Sequence, residues 1–399
     1  MALSARRKTR NHDDYGPKRF GSLADALANL RAPKGASYVV WNDTWPNDLE
    51  YVMANFLAAD DILVLPERDT PYYINTANGF TYPTSTVTAW SDGALLVNNS
   101  RTWGEMVRSH RGILGLGPKA VIALKPSSFT QVAQGDDKTR YYINKTGAKV
   151  YEVGTFEKMI GCAHSQAYFG NFTIAPSLDF GGVAYNSIVW YPDNAVGTRG
   201  VFERIYSQGG HRGFSGGPNG ETAALGILRG AYEIYQCEFD GRLPDGTAVG
   251  TSPVMINSSA SGLIQDCYFH HARVGMPTLW NCNGVHTINY VRSEGNLSGP
   301  CWNLEKNVSG VTYNFNHCTM MLGSRKFQLN VGEYDSSAKI NLRDVKFIPA
   351  QSYWPGYFSI QGYSNGTGYK QVLTDISVLD ASGAKMPTRY SSNNVTTTL

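Results

Sequence analysis

The feature that most constrains this chain is a short apolar pattern that returns every 24 to 33 residues across its middle and later parts. Each copy has an apolar residue, two polar or small residues, and then a second apolar residue or cysteine. A repeat of this length predicts a solenoid, in which each turn of the chain buries its apolar face against its neighbours. The second positions, used below as markers, are Phe172, Ile205, Cys237, Cys267, Val291, Cys318 and Val345.

The coils of this solenoid are predicted to be built from strands. A further apolar run, such as residues 225–227 or 254–256, precedes the marker in each coil, so every coil has at least two strands. The 42 glycines, 24 tyrosines and a charged fraction of only 17% suit short strands joined by tight turns. We therefore expect an all-β fold, a right-handed single-stranded parallel β-helix of about nine or ten coils. The 56 residues from Leu116 to Phe172 leave room for one more rung, placed near Val150.

The first hundred residues differ from the repeat. Residues 22–31 and 47–59 are predicted helices, and the second has apolar residues at intervals of three and four along one face. Such an amphipathic helix would cap the open end of a β-helix. The predicted organisation is a basic arm and short helix (1–33), an N-terminal cap with first coils (34–110), the parallel β-helix (111–350), and a C-terminal strand with a polar tail (351–399).

The formal net charge of +3 originates in the first twenty residues, which hold six basic and two acidic residues. The other 379 residues hold 29 basic and 30 acidic ones. Such an arm is suited to docking on a partner protein, to lying on the chain's own body or, as the least favoured alternative, to binding nucleic acid. The residues predicted to dock a partner are Arg6, Arg7, Lys8, Arg10, Lys18 and Arg19.

Cysteine and histidine usage argues against a metal site, and no cofactor is expected. The six cysteines include no Cys-x-x-Cys pair, and the histidines lack helical ligand spacing. Cys237 and Cys267 share a coil position, about 4.8 Å apart, which is within disulfide range, but buried free thiols are the preferred interpretation. No run approaches the roughly 18 apolar residues of a membrane span, and no apolar signal core is seen near the start. We expect folding in the cytoplasm of the producing cell.

Several short runs at turns and core positions resemble a known group of proteins. They include Gly-Pro-Asn-Gly-Glu at 217–221 and Asp-Cys-Tyr-Phe-His-His at 266–271, with 257–259, 275–277, Trp280 and 303–305. The runs resemble the β-helix region of minor tail proteins from phages of actinobacteria, which are pectate-lyase-like in fold. The resemblance covers about residues 110–350 and implies a virion component, a homotrimer with the β-helix as a rigid stalk or adhesive body.

The expected function is that of a tail-fibre or tailspike type of protein that binds a host-surface glycan. It would join other virion proteins through its N-terminal arm, with no membrane as a partner. Two alternatives remain open, a capsid decoration protein of the same fold and a polysaccharide depolymerase, either lyase or glycoside hydrolase. The chain contains no Arg-x-Pro-x-x-Arg string of the lyase kind, so a non-enzymatic role is preferred.

If the chain cleaves a glycan, the repeat indicates where. Asp240, His270 and Glu294 each follow a marker by three residues, so they would stack on successive coils. Carboxylates two coils apart would lie about 9.6 Å from each other, near the upper limit of the roughly 6.5–9.5 Å that inverting glycosidases use. His270 would lie between them and tune either one. The alternative is a solvated polar ladder on the outer face.

A second set of residues is a candidate for ligand binding. His211 and Arg212 open a glycine-rich loop that ends before Glu221, and this loop could grip a ligand or form a long turn. Trp280 and Trp302 come from related places on adjacent coils. They would stack on sugar rings or pack in the core.

Overall fold

The structure is a computed structural model, and its strands and helices are numbered in chain order. It describes residues 15–74, 87–89, 95–98, 110–124, 130–134, 140–143, 149–153, 160–175, 188–192, 196–208, 223–242, 252–259, 261–272, 277–294, 302–305, 310–322, 328–331, 339–349, 358–362, 376–378 and 388–390.

Three all-parallel sheets form the body of the molecule. Sheet 1 contains β1 (Ser37–Val40), β2 (Asp61–Leu65), β6 (Gly112–Gly115), β12 (Gln166–Gly170), β15 (Arg199–Glu203), β18 (Ala231–Tyr235), β21 (Ser261–Gln265), β24 (Val285–Asn289), β27 (Thr312–Asn316) and β30 (Lys339–Arg343). Sheet 2 contains β3 (Tyr72–Ile74), β7 (Val121–Leu124), β13 (Thr173–Ile174), β16 (Tyr206–Gln208), β19 (Glu238–Asp240), β22 (Tyr268–His270), β25 (Arg292–Glu294), β28 (Thr319–Leu322), β31 (Val345–Pro349) and β33 (Ile376–Val378). Sheet 3 contains β11 (Ile160–Cys162), β14 (Ile188–Trp190), β17 (Ala223–Leu228), β20 (Ser252–Asn257), β23 (Thr278–Trp280), β26 (Trp302–Glu305), β29 (Gln328–Val331), β32 (Phe358–Gly362) and β34 (Thr388–Tyr390).

The prediction of an all-β parallel β-helix is confirmed by these sheets. From β12 to β32, the described strands belong to sheets 1, 2 and 3 in turn, and each new sheet 1 strand pairs with the previous one. Sheets 1 and 2 have ten strands each, which agrees with the nine or ten coils expected from the repeat. Strands β32, β33 and β34 continue the pairing past residue 350.

The expected rung near Val150 is wrong. Strand β6 pairs directly with β12, with Ile113 opposite Phe169, so no coil lies between them. Val150 lies in β10 and pairs with Leu95 and Tyr142 in a fourth, mixed sheet. That sheet contains β4 (Val87–Ala89), β5 (Leu95–Asn98), β8 (Thr130–Gln134), β9 (Arg140–Ile143) and β10 (Lys149–Val153). Apolar alternation in an inserted sheet is the same locally as alternation in a coil, and only the pairing partner distinguishes them.

A sharp corner joins sheet 1 to sheet 2 in each of seven described coils. The residue just before each marker has a φ between 48° and 61°. This left-handed conformation costs a non-glycine residue roughly 1–2 kcal/mol, and here it turns the chain so that the marker enters the core. Every marker is at most 1% exposed. The corner residues are Asn171, Arg204, Gln236, Asp266, Tyr290, His317 and Asp344.

The core contains one column in which a glycine is required. Successive sheet 1 strands place Tyr232, Gly262 and His286 opposite one another. A Cβ atom on Gly262 would lie 2.1 Å from ring atoms of Tyr232. The missing side chain lets the two rings stack across it, with centroids 5.7 Å apart, and lets the Tyr232 hydroxyl lie 3.0 Å from His286 Nδ1.

The described cysteines are free and buried, as the preferred interpretation predicted. The thiols of Cys237 and Cys267 each donate to the carbonyl two residues earlier, at 3.4 Å. Burial raises the pKa of Cys318 to about 12, which keeps that thiol protonated. Cys301 lies outside the described residues.

Helices α1 (Leu23–Asn29) and α2 (Leu49–Phe56) form where expected. The Ser22 side chain caps α1 by accepting from the Asp25 N–H at 3.1 Å. Along α2, the residues Leu49, Val52 and Met53 are wholly buried in the same apolar cluster as the core of the first coils. The role of α2 as an end cap stays a prediction.

The segment between residue 15 and α1 lies along the corner of the chain's own β-helix. The Gly16 N–H donates to the Gln236 carbonyl at 2.8 Å, and the Phe20 N–H donates to the Leu116 carbonyl at 2.9 Å. As the chain proceeds from residue 16 to residue 20, it therefore contacts progressively earlier coils. We call residues 15–21 the strap, because this segment crosses several coils and runs from later coils towards earlier ones.

Ionic contacts hold the strap and α1 to the same body. Arg19 forms an ion pair with Glu67 at 2.5 Å. After α1, the Arg31 N–H donates to Glu203 Oε1 at 2.6 Å, and the Arg31 guanidinium lies 3.7 Å from the ring centroid of Tyr235. The described end of the basic arm is therefore ordered on its own β-helix, which was the second of the three alternatives.

Candidate functional site

The outer face of sheet 2 carries a column of titratable side chains. The strand register pairs Asp240 with His270 and His270 with Glu294, so the three stack on successive coils as the repeat predicts. Phe239 and Phe269, which precede Asp240 and His270, point to the opposite side of the sheet, into the core, with ring centroids 5.7 Å apart. This alternation follows from the period of two along a strand.

His270 is the centre of the cluster and is almost fully buried. Its Nε2 lies 3.0 Å from Glu238 Oε1. An ionised carboxylate only accepts, so Nε2 carries the hydrogen and donates it. Its Nδ1 lies 2.9 Å from His271 Nδ1 and 3.5 Å from Asp240 Oδ1. The ring of Tyr268 stacks on His270 with a centroid separation of 4.4 Å.

Asp240 is clamped by Arg242. Asp240 Oδ1 accepts from the Arg242 backbone N–H at 3.0 Å and from Nε at 3.1 Å, while Oδ2 accepts from Nη2 at 3.0 Å. Burial alone would raise the pKa of Asp240, but the hydrogen bonds from Arg242 and the charge of His270 outweigh burial and lower it. His271 Nδ1 approaches Asp240 Oδ1 at 3.3 Å, and burial together with Arg242 lowers the pKa of His271.

Glu294 has an equivalent clamp from its own strand. Arg292 donates to Glu294 Oε2 from Nη2 at 2.7 Å and from Nε at 3.2 Å. The Tyr268 hydroxyl donates to Oε1. Burial favours a higher pKa, but these donors outweigh it and lower the pKa of Glu294.

These clamps do not supply the raised pKa that the predicted acid–base pair requires, and the pair stays a prediction. An inverting glycosidase needs one carboxyl group that is protonated near the working pH, which requires a raised pKa. Asp240 and Glu294 both have lowered pKa values and both are bound by arginine. Their stacking is as expected, yet their electrostatics are those of structural ion pairs.

The strap and solvent share the surface of the cluster. The ring of Tyr15 lies 5.5 Å from that of Tyr268, and Gly16 lies beside Glu238. On the other side, the His271 side chain is 26% exposed and that of Arg242 is 38% exposed. Solvent therefore reaches the cluster from the side of His271.

None of the remaining predicted site residues that the structure describes lies in this cluster. His211, Arg212 and Glu221 lie outside the described residues, as do Arg6, Arg7, Lys8 and Arg10. Trp280 and Trp302 lie on the paired strands β23 and β26 of adjacent coils, as expected, but the register places Trp280 opposite Glu305 and not opposite Trp302. Of the predicted docking residues, Lys18 and Arg19 contact the chain's own coils.

Sequence reasoning missed His271 and Arg242 as members of the site. Arg242 follows Asp240 by two residues and Arg292 precedes Glu294 by two, a spacing that places both partners of a pair on one side of an extended chain. That signal was present in the sequence. His271 gave none, since it sits past the end of β22 with a left-handed φ of 57° that brings its ring back beside His270.

No protein-family model matches this chain, and a search of curated proteins found no significant match. Among the described residues, no helix has the length and hydrophobicity needed to cross a membrane.

Proposed function

We propose that this chain is the β-helical body of a virion protein of the tail-fibre or tailspike type, which binds a host-surface glycan without cleaving it. The observation that carries the proposal is the clamping of Asp240 and Glu294 by Arg242 and Arg292. Each arginine lies two residues from its carboxylate in the same coil, so charged groups that could have served acid–base chemistry form local ion pairs instead. The parallel β-helix architecture agrees with the sequence resemblance to phage minor tail proteins.

A rigid body suits a stalk or adhesin. Strands β12, β15, β18, β21, β24, β27 and β30 pair in unbroken register, and the strap ties several of these coils together at their corners. Side-chain ladders such as Asn289 with Asn316, at 2.8 Å, add bonds between coils.

The corner beyond the strap supplies a surface suited to sugar. Tyr290 is 48% exposed, and its ring stacks on that of His317 at 4.8 Å with an interplanar angle of 13°. Flat aromatic faces beside hydrogen-bonding groups are suited to stacking on pyranose rings. His317 Nδ1 in turn lies 2.7 Å from Asp344 Oδ2, which adds a polar group along the same corner.

Binding and cleavage are separated by one experiment with host cell-wall polysaccharide. The purified chain should be retained on the immobilised polysaccharide, and the polysaccharide should keep its length. Tyr290→Ala should weaken retention several-fold, whereas Tyr51→Ala, at a tyrosine that is 46% exposed on α2, should not. Shortening of the polysaccharide that is lost in Asp240→Asn or Glu294→Gln would replace this proposal with the depolymerase alternative.

Deletion of the N-terminal arm tests how the chain is attached to the particle. Deleting residues 1–14 leaves the strap in place, and we expect the shortened chain to fold but to be absent from assembled particles. Incorporation of the shortened chain would contradict a docking role for Arg6, Arg7, Lys8 and Arg10. Imaging of labelled particles distinguishes a tail position from the capsid-decoration alternative, and a mass measurement in solution tests the trimer.

A further inference from the structure

We propose that Asp240, His270 and His271 form a binding site for one divalent transition-metal ion of the Zn²⁺ type. The three side chains come from the ends of two successive sheet 2 strands, β19 and β22. Each offers one ligand atom, and those atoms lie within 4.8 Å of one another. The proposal goes beyond the virion role and does not depend on it.

The triangle formed by the three ligand atoms has the size that such an ion requires. His270 Nδ1 and His271 Nδ1 are 2.9 Å apart, and they lie 3.5 Å and 3.3 Å from Asp240 Oδ1. With Zn–N and Zn–O bonds of roughly 2.0–2.2 Å, two ligand atoms at a tetrahedral angle lie about 3.3 Å apart. An ion can therefore sit above the triangle with little movement of the side chains.

The contact between His270 Nε2 and Glu238 orients the His270 ring so that Nδ1 faces the other two ligand atoms. Metal binding requires a neutral imidazole, and donation from Nε2 to Glu238 places the lone pair of that neutral form on Nδ1. A carboxylate behind a ligating histidine fixes its tautomer and orientation and raises its basicity. Two imidazoles and one carboxylate, with a side open to solvent at His271, match the ligand set of zinc sites that keep a position for water.

Arg242 is the group that opposes an ion. Its guanidinium occupies Asp240 and carries positive charge next to the triangle. The Arg242 side chain is 38% exposed, so it can swing away and leave Asp240 Oδ1 to the ion. The site is then a competition between one arginine and one metal ion for the same carboxylate, and removing the arginine should favour the metal.

The test is a calorimetric titration of the full-length chain, stripped with a chelator and dialysed, with ZnCl₂. We expect one Zn²⁺ per chain. Glu238→Gln should weaken binding about 10–100-fold. Arg242→Gln should bind more tightly than the wild type. Co²⁺ in place of Zn²⁺ should give an absorption spectrum typical of nitrogen and oxygen ligands.

The matched control is His317, which also lies beside a carboxylate and has a side chain 27% exposed, against 26% for His271. His271→Ala should lose binding by at least tenfold, and His317→Ala should keep wild-type affinity. His271→Gln serves if the alanine variant does not fold by circular dichroism. No stoichiometric binding by the wild type, or equal binding by the His271 and His317 variants, would overturn the proposal.

Discussion

Asn171 holds both backbone polar groups of Lys18. Its Oδ1 accepts from the Lys18 N–H at 2.7 Å, and its Nδ2 donates to the Lys18 carbonyl at 2.8 Å. The same Nδ2 reaches the Gly115 carbonyl at 2.8 Å. One buried amide therefore joins the strap to two coils, which makes it the most direct place to test the strap.

Asn171→Ala should lower the free energy of unfolding by roughly 2–3 kcal/mol, since each lost hydrogen bond contributes about 1 kcal/mol. The strap should also become more sensitive to trypsin, which cleaves after Lys18 and Arg19. Denaturant unfolding and limited proteolysis measure the two effects. Asn316→Ala, which removes a polar ladder far from the strap, should leave the trypsin rate unchanged.

Asn171→Gly distinguishes the contribution of the side-chain hydrogen bonds from the steric cost of the left-handed backbone. Asn171 has a φ of 61°, which glycine adopts without the steric cost that alanine carries. The glycine variant should therefore be more stable than the alanine variant but equally sensitive to trypsin. A wild-type rate of cleavage in either variant would show that the strap is held by other contacts.

His286 should make stability depend on pH. Its Nε2 lies 2.8 Å from the Asn283 carbonyl, so that nitrogen donates, and Nδ1 accepts from the Tyr232 hydroxyl. Burial lowers the pKa of His286 to about 4. The unfolded chain, with a pKa of about 6.5, takes up a proton first, so stability is complete above pH 6.5 and falls as pH drops towards 4.

The expected loss from His286 is about 3 kcal/mol, from about 1.4 kcal/mol per pKa unit. It is measured as the free energy of unfolding between pH 7 and pH 4. His286→Phe should be less stable at pH 7, since it lacks the two hydrogen bonds, but should show a smaller decline over this range. An identical decline in both proteins would assign the pH dependence to other groups.

Glu203 should change the pH dependence of stability in the direction opposite to that of His286. Burial raises its pKa, although the hydrogen bonds from the Tyr168 hydroxyl and the Arg31 N–H partly offset burial. A raised pKa in the folded state means that the Glu203 contribution to stability grows as pH falls through that pKa towards the unfolded value.

Glu203→Gln keeps an oxygen acceptor without the charge, so it should be at least as stable as the wild type at pH 7 and should flatten the acid side of the pH profile. Glu203→Ala should be destabilised at every pH by roughly 1–3 kcal/mol, because the Tyr168 hydroxyl loses its partner. Paired unfolding curves at pH 5 and pH 7 measure both effects. Greater stability of the wild type than of the glutamine variant at pH 7 would contradict the burial argument.

Gly262→Ala should be among the most destabilising small substitutions in the core. The added Cβ meets the ring of Tyr232, which is packed on all sides and stacked towards His286, so the ring has nowhere to move. Overpacking of this kind costs roughly 1–3 kcal/mol. Gly21→Ala, where a Cβ meets nothing within 4 Å, is the control, and the thermal midpoints of the two variants should differ by several degrees.

The coils could be predicted from the sequence because each marker is apolar or cysteine and follows the previous marker by 24 to 33 residues. Stacking of Asp240, His270 and Glu294 followed from that spacing alone. The Val150 rung failed, since local alternation does not say which strand is the partner. That the strap lies on the body was only one of three alternatives for the basic arm, because its contacts are mostly backbone bonds, which leave no trace in composition. The proximity of His271 to Asp240 and His270 was missed because it depends on the left-handed backbone conformation of His271.

The strap also has a consequence for the order in which the molecule can be completed. Its anchors lie 153 residues away from Lys18, at Asn171, and 188 residues away from Gly16, at Arg204. A ribosome releases residues 15–21 long before any of these corners has been synthesised. The strap is therefore synthesised early but can take its final position only late. It can dock fully only after the coils up to Gln236 have folded. Contacts this distant in sequence slow folding, so we expect the strap to attach more slowly than an individual coil closes.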